Sequence, residues 1–400
     1  MLALELYRSL PRYAAGRAVG ARLPGLLVGP MAPLRLVTLP APRVRAPGWV
    51  GVRPRLAGIC GSDLGAVTGA TSLYFSALAS LPCVPGHEVV GELVEDCEDL
   101  PGGTRVVLDP VLTCAARGVG PCRWCAVGLT SRCDYVTVGH VAPGLQTGYC
   151  ADTGGGWGEQ LVAHRSQLHP VPDTLSDARA VLVEPLACAV HTALAAQVGP
   201  GDTVLVSGAG AVGLLATLAL RELTAAGRVI VVAKHERQRE LARRFGASDV
   251  VAPTEAVRGV RRATRALALS PEYSAPFLLG GVDVAIDAVG STSSLDMALR
   301  ATRAGGRVVL SGMPTPGADL SPAWFRELAV VGAYASAAAE PAADGAGAFD
   351  LALRLAAAAP LDGVVGATYP LHRWREALDH ASSAGRLGTV KVAFDVRSRS

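Results

Sequence analysis

The chain reads as an α/β protein in two parts, a mostly β part and a doubly wound parallel sheet, on three observations. It has 400 residues, well beyond the roughly 250–300 at which a single core stops growing, so two domains are expected. Residues 34–180 are rich in proline, glycine and short β-like runs separated by turn residues, the pattern of a mostly β domain. From about residue 187 short apolar runs alternate with helical stretches, the rhythm of parallel strands joined by crossover helices.

In chain order, the stretch Pro11–Pro33 is rich in Pro, Gly and Arg and is expected to be an extended loop or insertion. Leu34–Leu39, Val50–Arg55, Val89–Val94 and Thr104–Leu108 are the strand candidates of the first part. In the second part Thr203–Ser207, Arg228–Val232, Val282–Asp287 and Arg307–Ser311 are expected strands, with helices over Leu214–Thr224, Arg237–Phe245 and Ser294–Thr302. An Ala/Gly-rich loop follows from about 335, and the chain closes on the strand-like Val390–Val396.

Half of the residues are hydrophobic and 18% are charged, which is ample material for ordinary globular packing. Aromatic residues make up only 5%, which argues against a base-stacking surface. With a net charge of +3 and no long basic run, neither nucleic acid nor an anionic membrane is expected as a partner. Lys234 and Lys391 are the only lysines among 37 basic residues, so the place of each matters. Thr203–Leu220 is apolar enough to resemble a membrane span, but Gly208, Gly210 and Gly213 favour a buried strand, turn and helix. The first thirty residues carry arginine and little acid, yet lack the apolar stretch of a signal peptide, so a cytoplasmic protein is expected.

The run Val204-Leu-Val-Ser-Gly-Ala-Gly-Ala-Val-Gly213 leads from a predicted strand into a predicted helix. Gly208 permits the tight turn, Gly210 lets the main chain approach a pyrophosphate, and Gly213 allows the helix to pack on the strand. With Ala209, Ala211 and Val212 they place a helix N-terminus against phosphate oxygens, which predicts a dinucleotide site.

Two groups of residues have the chemistry of metal ligands. Cys60 lies in Gly-Ile-Cys-Gly-Ser-Asp, His87 and Glu88 follow 27 residues later after Gly86, and Glu184 begins Glu-Pro-Leu. A thiolate, an imidazole and a carboxylate would hold zinc and leave one position open for water or a substrate oxygen. The second group is Cys114, Cys122, Cys125 and Cys133, four of nine cysteines crowded into 20 residues. Four thiolates close a tetrahedral structural site, and the Cys-x-x-Cys pair at 122 and 125 is its strongest signal. A cluster of reduced thiols without metal is the alternative.

At these motifs the chain resembles the medium-chain, zinc-dependent alcohol dehydrogenases, particularly the polyol, sugar and threonine dehydrogenase branch. The resemblance runs from about 34 to 396 and includes Pro-Gly-His-Glu-Val-Val-Gly, Glu-Pro-Leu-Ala, Asp287-Ala-Val-Gly and Gly306-Arg-Val-Val-Leu-Ser-Gly-Met. It implies a GroES-like catalytic domain over 1–186 with a structural-zinc lobe at about 110–135, a Rossmann-type domain over 187–334, and a return to the catalytic domain over 335–400. It places Cys60, His87 and Glu184 at the catalytic zinc, Glu88 as a nearby or exchangeable ligand, and Asp63 behind His87 to fix its tautomer. The cofactor site would take in Ala288, Val289, Gly290, Ser311, Gly312 and Met313. In the family's lobe the first cysteine stands three residues before the second; Cys114 stands eight before Cys122, which makes it the least secure ligand.

The expected activity is hydride transfer between a nicotinamide cofactor and an alcohol or carbonyl, by a homodimer or homotetramer. The alternatives are a zinc-assisted reductase of an imine or conjugated carbonyl, and a nicotinamide-binding protein that has lost catalysis. A zinc-free quinone or enoyl reductase would lack Cys60, His87, Glu88 and Glu184. The second strand ends at Ala233, where an acid would take the ribose hydroxyls of NAD, and Lys234, His235 and Arg237 follow. This favours NADP(H), with Lys234 and Arg237 on the 2′-phosphate; in the other reading they begin a solvated helix and Glu236 takes the ribose. Ser62 stands where the family places a proton-relay hydroxyl, and Gly65 where many members have a histidine, so a shortened relay through Ser62, the cofactor ribose and water is expected. Tyr74, Phe75 and Trp157 line a substrate pocket or pack in the core.

Overall fold

The computed structural model describes residues 1–19, 31–336 and 346–398. The chain divides into two compact units, Met1–Glu184 with Ala356–Ser400, and Pro185–Leu355. The helix Ala348–Ala358 begins in the second unit and ends in the first.

The first unit opens with β1 (Leu2–Leu6) antiparallel to β2 (Leu34–Thr38), Leu2 opposite Thr38 and Leu6 opposite Leu34. Between them, part of the stretch expected as an extended loop is a helix, Leu10–Val19, while 20–30 lie outside the described residues. The helix forms because Pro11 falls in its first turn, where a missing N–H costs nothing, and Arg12, Ala14 and Ala15 favour helix. Its Tyr13 hydroxyl donates to the Thr71 carbonyl at 3.0 Å and the Tyr13 ring lies against Gly69.

The main sheet of this unit uses β3 (Trp49–Gly58), β4 (Val89–Leu93), β5 (Arg105–Leu108), β6 (Leu161–His164) and β7 (Leu168–Pro170). Val50, Val52, Val89, Leu93, Val106, Leu108 and Leu161 form a buried apolar cluster on its inner face, which fixes the register because a one-residue slip would turn them outward.

In the second unit, β8 (Thr203–Ser207), β9 (Arg228–Val232), β10 (Asp249–Val251), β13 (Val282–Asp287), β14 (Thr302–Leu310) and β15 (Ala329–Gly332) make one parallel sheet. Their order is β10-β9-β8-β13-β14-β15, and a separate ribbon pairs β11 (Leu267–Leu269) with β12 (Phe277–Leu279). The winding reverses between β8 and β13, and in such sheets ligands bind outside the carboxyl ends of the strands at that point.

The last two strands, β16 (Val365–Tyr369) and β17 (Lys391–Asp395), complete the first unit's sheet in the order β16-β17-β3-β4-β5-β7, with β6 also on β3. Ala393 of β17 lies opposite Gly58 of β3. This antiparallel pairing sets Lys391, at the start of β17, beside the segment that follows β3 and carries Cys60.

Candidate active site and metal centres

Cys60 ends the turn after β3 and caps the helix Gly61–Thr68 in an extended conformation. Asp63, three residues on, accepts a hydrogen bond from the Cys60 backbone N–H with Oδ2 at 3.0 Å, so the Cys-Gly-Ser-Asp spacing closes the first helical turn. The other oxygen of this fully buried carboxylate stands 3.3 Å from His87 Nδ1 and accepts from the Tyr149 hydroxyl at 2.9 Å. Burial would push the Asp63 carboxyl up, but the His87 charge, the His87 ring and the Cys60 and Tyr149 donors outweigh it and hold it low. His87 follows Gly86, whose φ of +94° and close approach to the Trp157 ring exclude a side chain there.

Cys60, His87 and Glu88 bring their ligand atoms within 4.8 Å of one another. His87 Nδ1 stands 3.3 Å from Asp63 but makes no hydrogen bond, and the thiolate, imidazole and carboxylate suit zinc. Glu184, buried in the first turn of the helix Val183–Ala195, does not join this mutually close set.

Glu88 is not free to turn. Lys391 Nζ donates to Glu88 Oε1 at 2.5 Å and Oε2 at 2.7 Å, both side chains being at most 5% exposed, and a Cβ on Gly58 would collide with Glu88. Burial works to lower the Lys391 pKa, but Glu88 first and then Cys60 and Glu184 raise it. One of the chain's two lysines is therefore spent in this centre, a role the sequence reading missed; rarity of lysine was its sole signal. Tyr149 was missed as well, 86 residues from Asp63 and with no motif around it. Ser62 is half-buried. At Gly65 a Cβ would lie 3.1 Å from the Thr71 hydroxyl, so Thr71 fills part of the space of a side chain at 65.

The four lobe cysteines also gather, all sulfurs within 4.8 Å of one another and Cys114 Sγ 3.5 Å from Cys133 Sγ. Tetrahedral zinc thiolates have sulfurs about 3.8 Å apart. The longer spacing before Cys122 does not keep Cys114 out of the set. Backbone N–H groups of Cys122, Cys125 and Tyr135 point at the sulfurs of Cys114, Cys122 and Cys133 at 3.3–3.5 Å, as thiolates require. At Cys122 burial pushes the thiol pKa up, but amide N–H groups, that of Asp134 foremost, bring it down to about 6, whereas burial leaves the thiols of Cys125 and Cys133 raised. The donor set fits a closed zinc site.

In the second unit Gly208, at φ +98°, turns the chain after β8, and Gly210 precedes the helix Ala211–Leu223 with open space where a Cβ would stand. A Cβ on Gly213 would strike the Gly208 carbonyl at 2.0 Å, so the helix packs on the turn as the motif requires. Ala209, Ala211 and Val212 complete this turn, and Val289 covers Gly208. Buried Asp287 accepts from the N–H groups of Val289 and Gly290 at 3.0 and 3.1 Å, and its carbonyl accepts from Ser311 and Gly312. The Met313 carbonyl leaves no room for a Cβ at Gly290. The residues Ala288–Gly290 and Ser311–Met313 are thus interlocked at the carboxyl ends of β13 and β14.

After β9, Ala233 is buried and Lys234 exposed, and His235 caps the helix Glu236–Arg244. Arg237 pairs with Glu240 at 3.1 Å, while Glu236 faces Arg239 and Arg243 at 3.5 and 3.8 Å. Arg239, which the sequence reading passed over, donates to the carbonyls of Ala233 and Lys234. Trp157 is fully buried against Phe394, a core residue, and Tyr74 is exposed.

Comparison with known proteins agrees with this picture. Residues 46–173 match the alcohol dehydrogenase GroES-like domain and 211–352 the zinc-binding dehydrogenase model. L-idonate 5-dehydrogenase of Vitis vinifera is 30% identical over 292 residues, 71% of this chain and 73% of the relative. Sorbitol dehydrogenase of Arabidopsis thaliana is 30% identical over 293 residues, 72% of this chain and 74% of the relative. Among solved structures, a zinc-binding dehydrogenase of Sinorhizobium meliloti bound to NADP superposes with a TM-score of 0.69 at 26% identity, covering 98% of each chain. Sheet order, ligand clusters and these similarities together show that the chain belongs to the zinc-dependent medium-chain alcohol dehydrogenases and is an NAD(P)-dependent oxidoreductase of alcohols and carbonyls.

Proposed function

We propose that this dehydrogenase works with NADP(H) on a small alcohol or carbonyl substrate. Cys60 and His87, with a carboxylate from Glu88 or Glu184, hold its catalytic zinc, and Cys114, Cys122, Cys125 and Cys133 hold a structural zinc. The observation that carries the reading is the approach of Cys60, His87 and Glu88 within 4.8 Å, with Asp63 behind His87. When bound, zinc polarises the substrate oxygen and the nicotinamide gives or takes the hydride.

The chain's own residues do the rest. Asp63 stands behind the His87 ring and orients it. Lys391 donates to both oxygens of Glu88 and fixes that carboxylate beside Cys60 and His87. Ser62 takes the substrate's proton and passes it outward without a histidine behind it, since position 65 is glycine. Replacing Ser62 by alanine should slow turnover on the order of 10²-fold where chemistry limits the rate.

The NADP(H) preference is supported by Ala233 in place of an acid, by the exposed Lys234 beside Arg239, and by Glu236 being turned to arginines of its own helix. The S. meliloti neighbour, which holds NADP, adds support. The test is a kinetic screen with both cofactors over polyols, sugars, amino alcohols, aldehydes and cyclic imines. The specificity constant is expected to favour NADP(H) by about tenfold or more, as one charge-assisted phosphate contact gives, and Lys234→Ala should narrow the gap. Equal constants for both cofactors, unchanged in Lys234→Ala, defeat the preference.

A further inference from the structure

Arg117 is a guanidinium with 0% exposure, in the lobe that carries the four cysteines. Its Nε donates to the Leu112 carbonyl at 3.2 Å, Nη1 to Val138, Val141 and Ala142 at 2.9, 3.1 and 3.4 Å, and Nη2 to Ala142 and Gly144 at 3.4 and 2.6 Å. Every one of these acceptors is a main-chain carbonyl. Carbonyl dipoles satisfy the donors but bring no net charge, and burying an ion without a counter-charge costs several kcal/mol. Arginine does not escape by losing its proton.

The acceptors flank the cysteines: Leu112 lies two residues before Cys114, and Val138–Gly144 follow Cys133. Burial works against the charged guanidinium, and the thiols that favour it are Cys150 first, which lies outside the four-cysteine set, and then Cys133 and Cys114 within it. Four thiolates around one divalent ion leave two negative charges. Arg117 itself sits in the loop 115–121, the stretch by which the Cys114 spacing departs from the family pattern. That loop is built tightly: a Cβ on Gly139 would strike the Arg117 carbonyl, and one on Gly118 the His140 ring.

We propose that Arg117 is the counter-charge of the four-cysteine zinc centre, and that the longer loop between Cys114 and Cys122 exists to carry it there. The proposal rests on the reading that these cysteines bind zinc. Its positioning role is double: the fork ties both ends of the lobe together, and the charge offsets the thiolates.

The test uses the full chain in a His87→Ala background, so that the lobe is the remaining zinc site. Zinc release to a chromogenic chelator and melting temperature, zinc-loaded and zinc-stripped, are measured for Arg117→Gln and Arg117→Lys. Arg117→Gln should release zinc about 10–100-fold faster, the range for lost outer partners of a metal site, and should lower the melting temperature more in the loaded protein than in the stripped one. Arg117→Lys keeps the charge but loses the fork; it should melt lower yet release zinc at nearly the parent rate. Unchanged release in Arg117→Gln, with equal melting losses loaded and stripped, makes Arg117 a carbonyl brace and overturns the proposal. If Arg117→Gln yields no folded protein, Arg117→Lys decides: release accelerated tenfold or more overturns it, and parent-like release supports it. A parent lobe that binds no zinc also overturns it, while wild-type turnover and zinc at Cys60 and His87 report separately on the catalytic reading.

Discussion

In the lobe the four sulfurs face one another, and what stands directly behind them is mostly main chain, the N–H groups of Cys122, Cys125 and Tyr135. Around Cys60 and His87 the support comes instead from side chains, Asp63 and Tyr149 on one side and Lys391 on the other. Four thiolates saturate a tetrahedral ion and leave no place for a substrate, whereas a thiolate, an imidazole and one carboxylate leave a position open. The closed centre can be written into 20 consecutive residues, Cys114 to Cys133. The open one, as proposed, would draw on positions 60, 63, 87, 149 and 391 with a carboxylate from 88 or 184, because each donor must be oriented without being joined by another.

The widest separation between the two centres should appear on removing one donor from each. His87→Ala should cut turnover by about 10³-fold or more, the several kcal/mol that metal stabilisation of transition-state charge provides, with the fold and the lobe's zinc intact. Cys125→Ser should leave the catalytic groups in place but lose the lobe's zinc and lower the melting temperature or disturb assembly. Metal analysis, kcat and thermal melts on both variants check this. If the two variants lose the same zinc, or both leave stability untouched, the division of labour is wrong.

Next in size is Lys391→Met. It strands Glu88 as a buried carboxylate at 1% side-chain exposure, and breaking one partner of a buried ion pair costs about 3–5 kcal/mol. That loss is expected in the zinc-stripped protein. In the zinc-loaded protein Glu88 is released toward the neighbouring metal donors, so the loss in stability should be smaller and turnover should fall. Denaturant melts of both forms read the difference. Equal losses with and without zinc would mean that Lys391 braces the strand pairing of β17 and does not govern Glu88.

What was legible in the sequence follows the same line. The strands Thr203–Ser207, Arg228–Val232 and Val282–Asp287 were readable to the residue because a parallel sheet buried on both faces gives continuous apolar runs. β10 and β15, of three and four residues at the sheet edges, are too short to show a period. The helix Leu10–Val19 was hidden by Pro11 and the glycine content of its surroundings, though proline is harmless in a first turn. The lobe cysteines and Cys60, His87 and Glu88 were visible as residue types. Lys391, Tyr149 and Arg117 were not, since their meaning comes from contacts 303, 86 and up to 27 residues away in the chain.

The smallest expected effect, and the finest probe of the open centre, is Tyr149→Phe. The Tyr149 ring is half-buried, lies 6.0 Å centroid to centroid from the His87 ring, and its hydroxyl donates a hydrogen bond to Asp63 at 2.9 Å. Phenylalanine keeps the ring and its packing and removes one donor from a carboxylate that has no water to replace it. A hydrogen bond to a charged group is worth about 1.5–3 kcal/mol, and that is the stability loss expected in denaturant melts. Asp63 then keeps the Cys60 N–H and the neighbouring His87 but is less firmly fixed. Turnover should fall about tenfold, the low end for losing an outer partner of a metal ligand, with zinc content unchanged. The lobe lies outside this network, so its zinc release should match that of the parent. A variant with parent kcat but lowered stability would make Tyr149 a packing residue; one that loses the Cys60–His87 zinc would show that the phenol supports metal binding itself.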